Sequence, residues 1–340
     1  MTGLSQASLA VTEVSQVGQA RRAAVRAAES TGLSEEARGK VAIIATELAN
    51  NLVRYGKDGR FFVQPMQQPG WTYVQMLAVD SGPGIADLQR SMQDGVSTGG
   101  TPGTGLGAVR RLSDDFDIYS AIGQGTLVLS RVGVRSRTGA ARAFEWSAIS
   151  TPAPRETVCG DVWRIAEHNG ELAVMVADGL GHGPLAAEAA NRAADLFDGQ
   201  IDVHPAVFCE LAHRALAGSR GAALAVAHVA TSGRVRYAGV GNIAGSILGG
   251  PSNRGLSSQN GTIGVQVRRV QEFQYEWPQR GVLVMHSDGL TNRWSLDAYQ
   301  GLAARHPAII AAALYRDCLR GRDDATVVVV KKSIANASVR

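Results

Sequence analysis

The sequence predicts an α+β protein built from two dissimilar domains. The chain has 340 residues, 45% hydrophobic and 19% charged, which is enough apolar material for a buried core in each half. Helical and strand-like patterns are mixed irregularly in both halves, as in α+β folds. A short polar and basic stretch separates the halves, and no internal repeat relates them. We therefore predict domains at 1–133 and 142–332, a linker at 134–141 and a tail at 333–340.

The N-terminal half is predicted to begin with two helices. An Ala- and Arg-rich segment at about 15–30 indicates the first. For the second, Ser34 provides an N-cap and Gly56 an end after Tyr55. Its buried stripe is predicted from apolar residues at helical spacing, namely Val41, Ile44, Leu48 and Leu52. Alternating strands follow at 61–66, 72–80, 115–120 and 126–132, with a short helix near 107–112. These elements predict a mostly antiparallel sheet with helices on one face.

The C-terminal half is richer in strands. Apolar or alternating runs predict strands at 144–150, 162–166, 172–178, 222–230, 235–240, 244–248, 282–286 and 326–331. Helical patterns at 185–197 and 205–217 interrupt this series. The arrangement predicts a core of two β-sheets flanked by helices.

Composition and charge exclude several classes of protein. The net charge is +4, and no Lys/Arg stripe stands out, so we expect no nucleic-acid partner. No apolar run approaches the roughly 18 residues of a membrane span, and the N-terminus lacks the pattern of a secretory signal. Three widely spaced cysteines, Cys159, Cys209 and Cys318, indicate reduced thiols. We expect a cytoplasmic protein without a membrane partner.

Two polar residues lie on one edge of the second predicted helix. Glu47 and Asn51 are four residues apart, so their side chains are neighbours on a helix. A carboxylate there can accept a proton or orient a nucleophile, and an amide oxygen can complete a Mg²⁺ shell. A polar helix flank would give the same pattern.

Glycine-rich loops follow the predicted strands and helices of this half. Asp80 ends a strand in the sequence DSGPG, where its carboxylate can accept a hydrogen bond from an adenine amino group. A second glycine-rich loop opens a helix, as phosphate-binding loops do. Thr126 follows a Gly-Gln-Gly turn before the last strand. Taken singly, each of these segments is also typical of plain turns.

The four segments in this order resemble the ATP site of the GHKL superfamily, and the match spans residues 34–132. The segments ATELANNLVRYGKDG and DSGPGIADLQRSMQDGVSTGG further resemble the RsbT-like serine kinases that switch anti-sigma partners. The resemblance implies a GHKL (Bergerat) α/β sandwich that binds ATP with Mg²⁺. It assigns Glu47 as catalytic base, Asn51 as Mg²⁺ ligand and Asp80 as adenine reader, with Thr126 near the adenine. It assigns the shaping of the nucleotide loops to Gly82, Gly84, Gly103, Gly105 and Gly107.

Acidic residues recur in the C-terminal half where predicted strands meet loops. They are Asp161 in CGDVW, Asp178 in ADGLGHG, Asp288 in SDGL and the pair Asp323-Asp324 in GRDDAT. Carboxylates that converge from distant strands can hold two Mg²⁺ or Mn²⁺ ions, and the carbonyl of Gly179 can be a further ligand. Turn aspartates after strands are the alternative, since Asp-Gly is a common turn dipeptide.

These motifs resemble the metal-dependent Ser/Thr phosphatases of the PPM (type 2C) family, in the compact branch that includes SpoIIE and RsbX. The resemblance implies an α-β-β-α sandwich over about 143–332. It assigns Asp178, Asp288, Asp323 and the Gly179 carbonyl as ligands of two Mn²⁺ or Mg²⁺ ions. Asp161 would act on or beside these ions.

The chain departs from the larger PPM enzymes at three positions. Asp324 stands where they carry Asn, and Arg155 is the nearest candidate for their phosphate-binding arginine. His182 comes two positions later than the histidine proposed as their general acid, so it would either protonate the leaving oxygen or brace its loop.

Three hypotheses follow for the whole chain. In the first, a serine/threonine kinase and a phosphatase act in the same partner-switching circuit, on STAS-domain proteins of a stressosome or an anti-sigma system. In the second, the N-terminal half is a nucleotide-dependent binding module for a sigma factor or a downstream phosphatase. In the third, it is an ATP sensor that regulates the attached phosphatase.

Overall fold

The computed structural model describes residues 6–68, 70–92, 105–136, 142–249 and 253–333. The chain divides into two compact units. The first, called the N-terminal unit, comprises residues 3–140 together with 304–316. The second, called the C-terminal unit, comprises the described residues of 141–303 and 317–340.

The N-terminal unit is a five-stranded sheet with helices. Its elements are β1 (Ala7–Ala10), α1 (Val14–Ser30), α2 (Glu35–Tyr55), β2 (Arg60–Gln68), β3 (Trp71–Val79), α3 (Leu88–Ser91), α4 (Gly105–Leu112), β4 (Asp115–Ser120) and β5 (Thr126–Arg135). The strand order is β1-β2-β3-β5-β4, and all neighbours are antiparallel. This agrees with the mostly antiparallel sheet that the sequence predicts.

Helix α2 forms as its sequence predicts. The Ser34 hydroxyl accepts a hydrogen bond from the Ala37 N–H at 3.3 Å, and Gly56 ends the helix. The predicted apolar stripe is buried and packs against alternate residues of β2 and β3, such as Val63 and Met76. Because strand side chains alternate between faces, the residues on one face of the sheet pack against α1 and α2. This packing fixes the helix edge that carries the candidate catalytic residues.

Residues 304–316 complete the N-terminal unit from far along the chain. The Arg305 guanidinium and the His306 N–H both donate to the Asp117 carboxylate of β4, at 3.2 and 2.8 Å. The ring of Tyr315 packs edge-on against Phe62 of β2, with centroids 5.3 Å apart. Phe62 and Val63 are consecutive in β2, so this contact lies on the sheet face opposite α1 and α2.

The C-terminal unit contains two five-stranded antiparallel sheets. Its elements are β6 (Phe144–Thr151), β7 (Asp161–His168), β8 (Glu171–Gly179), α5 (Pro184–Asp198), α6 (Pro205–Ala215), β9 (Ala222–Ala230), β10 (Arg234–Val240), β11 (Ala244–Leu248), β12 (Arg254–Leu256), β13 (Phe273–Glu276), β14 (Val282–His286) and β15 (Ala325–Lys332). The strand orders are β13-β10-β9-β8-β7 and β12-β11-β14-β15-β6. Between β14 and β15 the chain forms α7 (Pro307–Cys318), most of which belongs to the N-terminal unit.

The two sheets of the C-terminal unit form a sandwich. Trp146 of β6 and Trp163 of β7 meet edge to face with ring centroids 5.6 Å apart. Helices α5 and α6 cover the outer face of the first sheet. Small residues such as Ala190 and Ala194 are fully buried there and let α5 approach the strands closely. This packing sets the ends of β7 and β8, where two of the candidate metal ligands lie.

Most predicted elements are present, and the omissions have physical reasons. Strands β1, β12 and β13 have only three or four residues each, too few for an alternating pattern to stand out. Helix α7 has no polar face in its first turns, so it carries no helical periodicity to detect. Within the described residues, no helix is long and apolar enough to cross a membrane.

Candidate functional site

The structure brings Glu47 and Asn51 of α2 next to the start of α4. A Cβ atom built on Gly105 would lie 3.6 Å from Glu47 Oε2 and 3.7 Å from Asn51 Oδ1. Both polar side chains are half-buried, and Gly107 is buried in the first turns of α4. A carboxylate and an amide oxygen therefore face a glycine-rich helix start. Gly103 lies outside the described residues.

Asp80 is held rigidly at the end of β3. Its Oδ1 accepts the Gly82 N–H at 2.7 Å, and its own N–H donates to the Thr126 carbonyl at 3.0 Å. The residue is only 8% exposed, and this burial raises the pKa of its carboxyl group. The structure thus places Asp80, Gly82 and Thr126 together, and their role in binding adenine stays a prediction.

Gly84 occupies a position that requires glycine. Its φ is +76°, and a Cβ atom there would collide with the Ala121 carbonyl. The neighbouring Pro83 carbonyl accepts the Gly123 N–H at 2.8 Å. The DSGPG loop is thereby fastened to the turn that precedes Thr126.

Arg316 of α7 contacts the same loop, and we expect it to support nucleotide binding. Its Nη1 donates to the Asp80 carbonyl at 3.1 Å. In Arg316→Ala, this bond is lost, so ATP affinity measured by calorimetry is expected to fall about tenfold. Arg305→Ala is the matched control, because Arg305 lies in the same segment as Arg316 but donates to Asp117 instead of Asp80. Equal losses in both variants would contradict a specific role for Arg316.

In the C-terminal unit, the acidic residues converge where strands end. Asp161 begins β7 and lies opposite Asp178 of β8 in the strand register. Burial, followed by the charges of Asp161, Asp288, Asp323 and Asp324, raises the pKa of Asp178 to about 9. Burial likewise raises the pKa of Asp161 to about 7. The charges of four other carboxylates therefore act on Asp178 and disfavour its ionised form.

Gly179 follows Asp178 and lies against helix α5. Its N–H donates to the Gly160 carbonyl at 3.1 Å, and a Cβ atom would collide with the Ala186 carbonyl. Only glycine allows the strand end to approach α5 this closely. The backbone of the predicted metal loop is thus fixed beside Asp161 and Asp178.

One buried carboxylate oxygen of the acidic cluster has no hydrogen-bond partner among the described residues. The Asp161 Oδ2 accepts the Ser287 hydroxyl at 2.6 Å, but its Oδ1 is buried and unpaired. The Asp324 Oδ1 accepts the Ala153 N–H at 2.8 Å, and hydrogen bonds from the Gly160 N–H and the Cys159 thiol also reach this carboxylate. Leaving a buried carboxylate oxygen unpaired is costly. Hard oxygen donors in this state fit Mg²⁺ or Mn²⁺.

The carboxylates do not form a closed chelate on their own. Within the described part of the chain, no three His, Cys, Asp or Glu side chains are spaced to hold a metal ion. The chemistry of the oxygen donors and the unpaired Asp161 oxygen therefore support the metal assignment, and the spacing of the side chains does not.

The raised carboxyl pKa values predict an unusual pH dependence of stability without metal. Aspartates of the unfolded chain ionise near pH 4, whereas folded Asp161 and Asp178 keep protons to about pH 7 and 9. Between these values the folded state binds more protons, so its stability falls as pH rises. We expect the melting temperature in EDTA to be lower at about pH 8 than at about pH 5.5.

Added Mn²⁺ is expected to raise the melting temperature most at the higher pH, because it neutralises the ionised cluster. In EDTA, the melting temperature of Asp178→Asn should depend less on pH than that of the wild type. A melting temperature that rises with pH in EDTA, or that does not change when Mn²⁺ is added, would contradict this account.

Among the described residues, neither His182 nor Arg155 forms a hydrogen bond or an ion pair with the five aspartates of the acidic cluster. The His182 Nδ1 lies 2.7 Å from the Glu156 Oε1, so the carboxylate holds the exposed imidazole. Arg155 is exposed and has a φ of +75°. Whether His182 transfers a proton remains a prediction.

Two further polar residues support the acidic cluster, and the sequence did not reveal them. Ser287 is fully buried, donates to Asp161 and accepts the Thr326 N–H at 3.0 Å. The Asn242 amide donates to Asp288 Oδ2 at 2.7 Å. The signal for Ser287 was its place directly before Asp288. Asn242 follows a glycine in a turn, where asparagine is ordinary.

Comparisons with known proteins agree with this geometry. Residues 10–131 match the model of the histidine kinase-like ATPase domain, and residues 168–333 match that of stage II sporulation protein E (SpoIIE). Serine/threonine-protein kinase RsbT of Bacillus subtilis (strain 168) is 34% identical over 107 residues, which are 32% of this chain and 80% of RsbT. The chain belongs to the RsbT family. The predicted fusion of an RsbT-like GHKL domain with a SpoIIE-like PPM domain is confirmed, as is the fold class.

Solved structures also resemble this RsbT-family chain. One, described as a bacterial stressosome adapted to control secondary messenger signaling, is 25% identical with a TM-score of 0.53, covering 56% of this chain and 100% of its own. Another holds the PP2C phosphatase domain and a fragment of the regulatory domain of SpoIIE from Bacillus subtilis. It is 15% identical with a TM-score of 0.48, and the match covers 94% of this chain and 98% of that structure's chain. The chain thus joins a domain of a serine/threonine kinase family to a domain of a phosphatase family, which confirms the predicted enzyme classes.

Proposed function

We propose that the chain is a bifunctional partner-switching regulator that phosphorylates and dephosphorylates a STAS-domain protein. The observation that carries the proposal is that both sites keep their chemical groups in one chain. Glu47 and Asn51 face the glycine-rich start of α4, and five carboxylates converge in the C-terminal unit. Membership of the RsbT family and the resemblance to a stressosome structure support the STAS-type partner. The three free cysteines support a cytoplasmic site of action.

In the kinase reaction, the partner's hydroxyl oxygen attacks the γ-phosphorus of ATP and ADP leaves. Glu47 accepts the hydroxyl proton as the new O–P bond forms. Asn51 would hold the Mg²⁺ that accompanies ATP, and the N–H groups at the start of α4 would bind phosphate oxygens. Asp80, buried and fixed by Gly82, accepts a hydrogen bond from the adenine amino group.

In the phosphatase reaction, the C-terminal unit would hold two Mn²⁺ or Mg²⁺ ions. Asp161, Asp178, Asp288, Asp323 and the Gly179 carbonyl are the proposed ligands. Such ions supply an activated water and stabilise charge on the phosphoryl oxygens. Ser287 and Asn242 orient two of the carboxylates through their hydrogen bonds. His182, held by Glu156, would protonate the leaving serine or threonine oxygen.

Opposed activities in one chain would consume ATP without net effect if both were always active. We therefore expect partner binding or nucleotide state to separate them in time. Equal kinase and phosphatase rates with and without the partner would contradict this expectation.

The phosphatase half is tested by phosphate release from a phosphoserine peptide. The full chain with Mn²⁺ is expected to hydrolyse the peptide, and EDTA is expected to stop it. Hydrolysis that persists in EDTA, or none with Mn²⁺ or Mg²⁺, would reject the proposed phosphatase.

A further inference from the structure

A charged cleft of about 350 Å³ opens beside the acidic cluster of the C-terminal unit. Four side chains line it, namely Asp288, Arg320, Arg322 and Asp323. The two aspartates belong to the proposed metal site. The two arginines have no role in the chemistry described above, and their charge is opposite to that of the other lining residues.

Backbone bonds fix the arginine segment beside Asp288. The Arg320 N–H donates to the Gly289 carbonyl at 2.8 Å, and the Thr291 N–H donates to the Cys318 carbonyl at 2.8 Å. Leu290 and Leu319 form an isolated antiparallel bridge between these bonds. Backbone pairing therefore holds the loop that carries Arg320 against the loop that follows Asp288.

The two guanidinium groups are free to bind an anion. Within the described residues, neither Arg320 nor Arg322 forms a side-chain hydrogen bond or an ion pair. The nearby Asp288 is already bonded to the Asn242 amide. Elsewhere in this unit Arg164 is paired with Asp198 at 3.3 Å, so arginines beside carboxylates in this fold do form ion pairs. The free pair in the cleft thus indicates a ligand rather than a structural role.

We infer that Arg320 and Arg322 bind the phosphate group of the phosphoserine or phosphothreonine substrate. A guanidinium presents two parallel N–H donors that match two phosphate oxygens, and its positive charge offsets the substrate's negative charge. The inference rests on the proposed phosphatase function. It replaces Arg155, the candidate suggested by the sequence, which does not line this cleft.

The test measures phosphate binding and turnover with the full chain loaded with Mn²⁺. Calorimetry gives the Kd for inorganic phosphate, and a phosphoserine peptide gives kcat and KM. We expect the Kd and KM to rise about tenfold in Arg320→Ala or Arg322→Ala and further in the double variant. Arg→Lys variants should recover only part of the affinity, because lysine keeps the charge and lacks the paired donors.

Two controls separate this role from others. Arg268→Ala removes an exposed arginine outside the cleft and should leave both constants unchanged. The affinity for Mn²⁺, measured separately, should remain within about twofold in the arginine variants, since they provide no metal ligand.

Several outcomes would overturn the inference. An unchanged phosphate Kd in the double variant would do so, as would wild-type chain that binds no phosphate. A loss confined to a whole phosphoprotein, with peptide and phosphate unaffected, would identify a protein-docking surface instead. If the wild type binds phosphate through these arginines but hydrolyses nothing, the arginine pair is still a phosphate-binding site and the proposed phosphatase function fails.

Discussion

Asp178→Asn is expected to lower Mn²⁺-dependent hydrolysis of a phosphoserine peptide at least about a hundredfold. Asp178 lies opposite Asp161 in the register of β7 and β8, and the charges of three further aspartates also raise its pKa. Asparagine keeps the shape of the side chain but removes the anionic oxygen that a divalent cation prefers. The loss should therefore come from the metal site and not from misfolding.

Stability measurements distinguish these two causes. Because asparagine does not ionise, it avoids the cost of keeping a buried aspartate protonated far above its unfolded pKa, so the variant is expected to melt at a higher temperature than wild type in EDTA at about pH 8. Asp202→Asn, at an exposed position of the same unit, is the matched control and should retain full activity. Full Mn²⁺-dependent hydrolysis by Asp178→Asn would refute the assignment of this residue.

Glu47→Gln is expected to lower phosphotransfer to the partner at least about a hundredfold, while ATP still binds. Glu47 lies beside the start of α4, whereas the proposed adenine contact is made by Asp80 on another element. Removal of the base therefore affects the chemical step and spares nucleotide recognition. Glu47→Ala should behave alike, which excludes an effect of the introduced amide.

The matched control for Glu47 lies on the same helix. Glu36 is exposed in the first turn of α2 and forms an ion pair with Lys40 at 2.7 Å, so Glu36→Gln should leave phosphotransfer unchanged. Phosphotransfer at the wild-type rate in Glu47→Gln would show that another group accepts the proton. Partner binding and output that survive in both Glu47 variants would favour the nucleotide-dependent binding module.

The fold could be predicted wherever the chain repeats one period over several residues. Helix α2 has a cap, an end signal and a stripe of apolar residues, and the predicted strands at 115–120 and 222–230 coincide with β4 and β9. Helix α7 could not be detected, because its run from Pro307 to Leu314 is apolar throughout and gives no period. Its grouping with β2 and β4 depends on contacts between residues far apart in sequence.

The candidate site was predictable only in its motif residues. Acidic residues at strand ends and glycines at a helix start are visible in the sequence as local patterns. The residues that orient them are not, since Ser287 and Asp161 are 126 positions apart and Asn242 and Asp288 are 46 apart. Pairs of this kind become visible only when the two sheets and their loops are in place. The role of Arg320 could not be predicted from the sequence for the same reason, because it depends on contact with the loop after Asp288.

The central claim, that one chain both adds and removes a phosphate, is tested most directly by the intact mass of a STAS-domain protein. The protein, from the same source, is mixed with Mg-ATP and the Asp178→Asn chain, so that added phosphate is not removed. We predict a gain of one phosphate, its absence with Asp178→Asn combined with Glu47→Ala, and its loss when wild-type chain and Mn²⁺ are added. No gain with any STAS-domain protein tested would contradict the claim and leave a nucleotide-binding module attached to a phosphatase.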